Sequence, residues 1–547
     1  MDLATLHENF DLLADAPNGA QRLRQMILRL AVQGKLVPQN PNDEPASALR
    51  QRNQVEKARL IKEGKLNKSQ SLPPIDPDEV PFEAPAGWEW VRLGNAARLR
   101  RGFDLPVGVR KAGAVPVYGA NGPLGTHSEA PLHGPGVVTG RSGSIGKVHY
   151  VAGNYWPLNT ALYVEDFWGN EPRFVELLLR AADLERFSSF SAVPTLNRNV
   201  AHFEPVLVPP LAEQHRIVAK VDELMGLCDE LEERQKRQAE VLGKANAAAL
   251  DRLLNATGSD DFDRHWRRLC DHFHILFDNP DNVAELRKAI LQLAVQGKLV
   301  PQDPNDEPAS VLLEKIQAEK ARLVKEGKLK RSKPLPLVDP EEMPFEVPTG
   351  WAFRRIGEVT EVSGGVTLGR KLGSQATCHL PYLRVANVQE GHVDLSVVKE
   401  VQVRKDEVER YRLLRGDVLL TEGGDWDKLG RSAIWDGALP LCLHQNHVFR
   451  ARPDSRVLTS RWLSMFTNAR TGREYFQSAS KQTTNLASIN MTQLKHCPLP
   501  LPPLAEQHRI VTRVDELMAL CDELENGLRE GLVVREQLAT AMAEGVA

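Results

Sequence analysis

The stretch Ala31–Ser47 reads AVQGKLVPQNPNDEPAS, and Ala294–Ser310 reads AVQGKLVPQDPNDEPAS. A second phrase behaves the same way. Pro209–Glu232 reads PPLAEQHRIVAKVDELMGLCDELE, and Pro502–Glu525 reads PPLAEQHRIVTRVDELMALCDELE. The first phrase recurs after 263 positions and the second after 293, so the segments they enclose differ in length by 30 residues. Those segments, 88–208 and 351–501, share little else. Solenoid repeats have periods of about 20 to 50 residues, so a period this long means duplicated domains. One frame kept around two unlike inserts suggests a scaffold presenting two separate specificities.

Working outward, Leu23, Met26, Ile27, Leu30 and Ala31 fall on one face of a 3.6-residue period, and Gly34 follows as a helix stop. The turn-rich PQNPNDEP then leads into a charged helix ending near Gly64, and the same pair recurs at Leu286–Gly297 and Ala309–Gly327. Pro-rich connectors, LPPIDPDEVPFEAPAGW and LPLVDPEEMPFEVPTGW, introduce the inserts. In the first insert VPVYG, GVVTG, KVHYV and ALYVED predict strands, and Phe174–Phe190 predicts a helix. In the second, YLRVANV, DVLLTEG, RSAIW and HVFRARP predict strands, and Thr459–Gln477 a helix.

Each insert closes on Pro-Pro and a long helix, since Pro is tolerated in a first helical turn. Ile217, Val221, Leu224, Cys228 and Leu231 step by four and three, as do Ile510, Val514, Leu517, Cys521 and Leu524. That is the a/d seam of a coiled coil. Gln235, Gln238, Leu242, Ala245 and Ala249 continue the first. Two near-identical seams suggest antiparallel packing of the long helices on each other; the alternative is that each packs on its own insert. The fold class expected is α/β (α+β), two mixed-sheet domains joined by long helices with a pseudo-twofold internal duplication.

No apolar run is long enough to cross a bilayer, and the N-terminus lacks a signal pattern. The six cysteines are scattered without a CxxC pair, which suits a reduced, cytoplasmic setting. The formal net charge of −3 gives no bulk signal for nucleic acid, so charge is informative only locally.

Catalytic signatures are missing from the sequence. There is no Asn-Pro-Pro-aromatic or Asp-Pro-Pro-aromatic tetrapeptide. The run GRSGSIGKV (Gly140–Val148) has five residues between its glycines where a Walker loop has four, and Val148 replaces the hydroxyl residue. Cys270, His272 and His274, with His265 upstream, lack the paired spacing of a zinc module. Glu422, Asp425 and Asp427 form only a fragment of a calcium loop, and the surrounding glycines indicate a turn. Neither metal nor bound cofactor is expected.

The duplicated PPLAEQHRIV and LAVQGKLVPQ(N/D)PNDEPAS phrases, with the P-x-GW motifs at Pro85–Trp88 and Pro348–Trp351, resemble the specificity subunit of Type I restriction–modification systems. The inserts look like target recognition domains, particularly TGRSGSIGK (Thr139–Lys147) and TEGGDWDKLGR (Thr421–Arg431). The resemblance implies 1–81 as helical frame and connector, 82–208 as recognition domain 1 and 209–344 as the central helical region. It further implies 345–501 as recognition domain 2 and 502–547 as the second long helix. It implies a non-catalytic reader of a bipartite duplex target. Its partners would be two modification subunits carrying S-adenosylmethionine and two motor-nuclease subunits using ATP and Mg. Many members begin almost directly with the first recognition domain; the frame helix placed first here makes this a permuted order of the same parts.

DNA contact is expected from basic and amide side chains. Lys and Arg anchor phosphate, while Arg, Asn and Gln also pair with base edges. In the first insert the candidates are Arg98, Arg100, Arg101, Arg110, Lys111, Asn197, Arg198 and Asn199, with Arg141, Ser142 and Lys147 on a tight turn facing phosphate. In the second they are Arg370, Lys371, Lys428, Arg431, Lys481, Gln482, Thr483 and Asn485. A coiled-coil scaffold whose inserts bind proteins is the alternative, and the near-neutral charge is compatible with it.

Overall fold

A computed structural model describes residues 10–63, 72–189, 194–326, 334–424, 426–482 and 487–544. Gly64, Gly327, Asp425, Thr483 and Asn485 lie outside the described residues. The chain divides into two compact units, residues 1–239 with 530–547, and residues 240–529.

In the first unit the frame helix Gly19–Val32 buries Leu23, Met26, Ile27, Leu30 and Ala31, the predicted face. It ends as the sequence predicts. Gly34 is left-handed (φ 72°), and the Lys35 amide donates to Leu30 O at 3.0 Å, the six-to-one bond of a Schellman stop. Gly297 repeats this φ, and Lys298 donates to Leu293 O at 3.0 Å.

The first insert supplies β1 (Glu89–Arg92), β2 (Arg98–Arg101), β3 (Val115–Gly119), β4 (Gly122–His127), β5 (Gly136–Gly140), β6 (Val148–Val151), β7 (Trp156–Pro157), β8 (Ala161–Asp166), β9 (Ser188–Ser189), β10 (Thr195–Leu196) and β11 (Pro205–Val208). They form sheets β2-β8-β5-β6, β4-β3-β7, β1-β11 and β10-β9. The helix predicted for Phe174–Phe190 is shorter, Pro172–Ala181. Asp183 turns left-handed (φ 43°), and a 3-10 turn and β9 follow.

The second insert supplies β12 (Ala352–Arg355), β13 (Thr360–Ser363), β14 (Thr377–Leu383), β15 (Lys399–Arg404), β16 (Val418–Thr421), β17 (Gly423–Gly424), β18 (Ser432–Ile434), β19 (Leu443–His444), β20 (Val448–Pro453), β21 (Lys481–Gln482), β22 (Ala487–Ser488) and β23 (Pro498–Leu501). Their sheets are β13-β20-β16-β18, β15-β14-β19, β12-β23 and β17-β22-β21. Three of the four sheets match the first insert strand for strand, and the fourth repeats β9 and β10 as β21 and β22 with β17 added, although the letters do not match. The single helix predicted over Thr459–Gln477 is two, Ser460–Asn468 and Arg470–Ala479. Ala469 is extended between them (ψ 160°), and a Cβ on Gly472 would lie 2.3 Å from Phe466 O, so the second helix folds back closely.

The long helices run Leu211–Leu254 and Leu504–Glu544. Ile217, Val221 and Cys228 are buried, with Leu224 and Leu231 half-buried, against frame residues Leu23, Ile27 and Leu30 and insert residues Phe174 and Leu177. Ile510, Val514 and Cys521 are likewise buried, with Leu517 and Leu524 beside them, among Ile290, Ala294 and Trp462. The seam therefore rests first on the frame helix and the insert. The other long helix joins at its ends: Ala539 and Met542 complete the first unit's cluster, and Leu250, Leu253 and Leu254 share one with Leu524 in the second. Each unit thus holds the start of one long helix and the end of the other. Beyond Gln235, whose amide donates to Ala14 O at 2.8 Å, the buried stripe slips from Ala245 to Asn246 and from Ala249 to Leu250. A straight helix drifts about 20° per heptad from a 3.5 repeat, which accounts for the slip.

The two repeated phrases are complementary halves of one interlock. Arg216 pairs with Asp43 at 2.6 Å, and Arg509 with Asp306 at 2.7 Å. Gln39 and Gln302 each donate to a frame glycine carbonyl, Gly34 O at 2.6 Å and Gly297 O at 2.9 Å. Gln214 and Gln507 donate to Pro209 O and Pro502 O at 3.0 and 3.1 Å. Trp351 Nε1 donates to Glu506 at 3.0 Å. Burial raises the pKa of Glu213 and Glu506 above the ordinary carboxylate value. These contacts explain why the phrases are kept nearly letter for letter while the inserts differ.

Candidate nucleic-acid interface

Sequence proximity hides the arrangement that strand pairing reveals. The turn after β5 and the segment of β10 are more than fifty residues apart, yet Ser142 bridges Thr195 and Gly143 N donates to Pro194 O at 3.0 Å. Arg141, Ser142 and Lys147 are thereby gathered with Asn197, Arg198 and Asn199. Asn197 caps the short helix Arg198–Ala201 by accepting from Asn199 N at 3.1 Å. In the second insert β17 pairs with β22, which pairs with β21. Lys481 and the backbone of Gln482 thus share one small sheet with Gly423–Gly424, on the far side of β22, ahead of Lys428 and Arg431.

The turn after β5 bends as it does because Gly143 and Gly146 have φ 95° and 85°. Gly140 is required for space, since a Cβ there would lie 1.8 Å from Ser144 O. Gly102 and Gly365 form a second matched pair, each with no room for a Cβ against backbone (Leu158 O 2.3 Å, His444 O 2.0 Å).

Several candidates are already engaged. Arg98 and Arg100 both pair with Glu165, Arg98 at 3.3 Å. Arg101 lies 3.7 Å from Asp104, and exposed Lys111 lies 3.2 Å from Glu129. Arg110 donates to Leu105 O at 3.5 Å. Arg370 is held by Glu407 in a two-pronged pair and lies over the Tyr411 ring at 5.8 Å. Glu407 is correspondingly below its usual range, with Arg370 as the first cause. Lys147, Lys371 and Arg198 have no ion-pair partner among the described residues. The β2 arginines are positioned from behind by His202, whose Nε2 accepts from Leu99 N at 2.9 Å. Burial, then the charges of Arg198 and Arg98, push this imidazole down to about 4, so it is neutral near pH 7.

Sequence reasoning missed two staples. Arg92, largely buried, donates to Glu79, Pro73 O, Pro74 O and Phe203 O; Arg355 donates to Glu342, Pro336 O, Leu337 O and His496 O. Each ties connector to insert. The signal was present: an arginine stands four positions after each Gly-Trp tryptophan. Among the described residues no group of three or more His, Cys, Asp or Glu could hold a metal ion, and no helix is long and apolar enough to cross a membrane. Cys270 is exposed on the helix Ser259–Asp271, with His272 at its C-terminal cap.

The family described as "Type I restriction modification DNA specificity domain" matches residues 85–241 and 348–533, one match over each insert and the start of its long helix. The chain belongs to this family. It is 31% identical over 566 residues to the Type I restriction enzyme EcoAI specificity subunit of Escherichia coli, covering 96% of this chain and 93% of that one. Identity to the EcoEI specificity subunit of the same species is 30% over 571 residues, with the same coverage. Among solved structures, the HsdS subunit from Thermoanaerobacter tengcongensis aligns with TM-score 0.41 and 17% identity, covering 86% of this chain and 98% of that one. As a specificity subunit the chain recognises DNA and is not itself the catalyst; the protein-binding scaffold alternative has no support among its relatives.

Proposed function

We propose that the two recognition domains, 82–208 and 345–501, each read one half of a bipartite duplex target. In this reading the frame (1–81, 209–344 and 502–547) fixes their separation. The observation that carries it is the pair of same-topology inserts with unlike letters on one duplicated interlock. Half-sites read from one face of B-DNA lie about 34–36 Å apart or a multiple of that, so the gap is a geometric output of the frame. Lys147, Arg198, Lys371, Lys428 and Lys481 anchor phosphates around the two reading surfaces.

The frame also docks two modification subunits, which bring S-adenosylmethionine, and the full complex adds two motor-nuclease subunits with ATP and Mg; the complex works in the cytoplasm. Support for two like partners comes from the outward face of the long helices. His215, Glu223, Leu227 and Glu230 are exposed, and their counterparts His508, Glu516, Leu520 and Glu523 are the same residues, equally exposed. Leu227 and Leu520 are large apolar side chains in water, an arrangement suited to a covered face.

Domain exchange tests the reading. A chain carrying residues 82–208 in both positions, assembled with its modification subunit, is expected to methylate a target containing the first half-site twice. Retention of the second half-site would refute it.

A further inference from the structure

Arg141 and Glu422 occupy the same place in the two recognition domains. The register of β5 on β8 pairs Gly140 with Ala161, and that of β16 on β20 pairs Thr421 with Val448. The next residue in each domain is locked by matching backbone bonds. Arg141 N donates to Thr160 O at 2.9 Å, and its carbonyl accepts from Leu196 N at 2.7 Å. Glu422 N donates to His447 O at 3.0 Å, and its carbonyl accepts from Ile489 N at 2.9 Å. An asparagine, Asn159 or Asn446, stands one residue before the residue whose carbonyl accepts from the Arg141 or Glu422 amide in each case.

At this shared position the side chains are chemical opposites. Arg141 spends one nitrogen on Asn159 O at 3.1 Å, and its other guanidinium donors have no partner among the described residues. Glu422 bonds His447 Nδ1 through one oxygen at 2.5 Å, and its second oxygen has no partner among the described residues. Both are part-exposed on the surface where the other candidates gather. A phosphate anchor cannot be a carboxylate, so an arginine and a glutamate at one structural position are not two versions of a phosphate contact. An arginine and a carboxylate suit base edges of opposite polarity. Arginine is the donor pair for guanine O6 and N7, and a carboxylate accepts from the cytosine N4 amine.

Resting on the two-reader function above, we infer that Arg141 and Glu422 are specificity-determining residues. Arg141 reads guanine in one half-site, and Glu422 reads an exocyclic base amine in the other, with His447 positioning the carboxylate. This reassigns Arg141 from phosphate to a base edge.

The test uses the full chain with its modification subunit, acting on a duplex library randomised across both half-sites and read as methylated adenines. The wild type is expected to require an amine-bearing base, cytosine or adenine, at one position of the second half-site. Glu422→Gln should relax that position alone by about 10- to 100-fold, and Arg141→Ala should relax one guanine of the first half-site. Glu422→Arg should shift the second position toward guanine. An unaltered first half-site in the Glu422 variants shows that they fold. A uniform fall across all sequences, or an unchanged motif, would overturn the inference while leaving two-domain reading intact. A wild type with no bipartite motif would overturn both.

Discussion

Arg355→Ala should open the junction between connector and second insert without disturbing the first. The guanidinium is 4% exposed and reaches Pro336 O (3.2 Å), Leu337 O (3.0 Å), His496 O (2.6 Å) and both oxygens of Glu342. Glu342 is 43% exposed and recovers water when the arginine is removed, so its pair adds little. The three carbonyls lose a charged donor in a part-buried place, at about 1 kcal/mol each. The sum is about 3 kcal/mol of local stability, on the order of 100-fold in the opening equilibrium. Hydrogen exchange reads this directly at the amides of Ile356, Leu499 and Leu501, which sit on or beside the β12–β23 ladder. They should exchange on the order of 100-fold faster, while Leu93 and Val206–Val208 keep their wild-type rates. Arg92→Ala should give the mirror result. Equal acceleration in both units, or none in either, would refute the assignment of these arginines as local staples.

Further expectations concern packing, backbone and pH. Gly226 lies within a long helix where an added Cβ meets nothing within 4 Å, and its counterpart is Ala519; Gly226→Ala should stabilise by about 0.5–1 kcal/mol in chemical denaturation. Gly297→Ala should do the reverse. Its φ of 72° costs a side chain about 1–2 kcal/mol, and the Cβ would lie 2.5 Å from Pro348 Cγ. His444 is fully buried, and burial pushes its imidazole down to about 4. The unfolded chain binds this proton near pH 6.5 and the folded chain does not, so stability is full above that pH. It falls by roughly 3 kcal/mol as pH drops from 6.5 to about 4. Denaturation midpoints against pH should show this slope, and His444→Gln should flatten it; an unchanged slope would contradict the assignment.

The frame was legible in the sequence because it is constrained by itself. Arg216 must find Asp43 and Arg509 must find Asp306, so both phrases repeat and both helix faces keep their period. Of the eight apolar runs expected to be strands, seven form them; at YLRVANV the strand ends at Leu383 and a 3-10 turn covers Val385–Asn387, and β1, β11, β12 and β23, which close each insert, are not among those expected. What escaped was whatever depends on distant pairing. The break at Ala469 follows from packing of Gly472 against Phe466, which a continuous helical period conceals. The partnership of the seam with the frame helix, before the other long helix, is equally silent, because an a/d stripe does not name what covers it. At the interface, charge alone selected Arg370, whose partner Glu407 lies 37 residues away, and passed over Glu422, whose meaning emerges only when its backbone bonds are set beside those of Arg141.

The central claim, that this chain chooses the DNA sequence for its complex, is tested most directly by mapping methylated adenines across the host genome with and without it. Deletion is expected to erase one bipartite motif, and the full chain to restore it. Persistence of every motif in the deletion strain, with the modification subunit shown to be expressed and active, would contradict it.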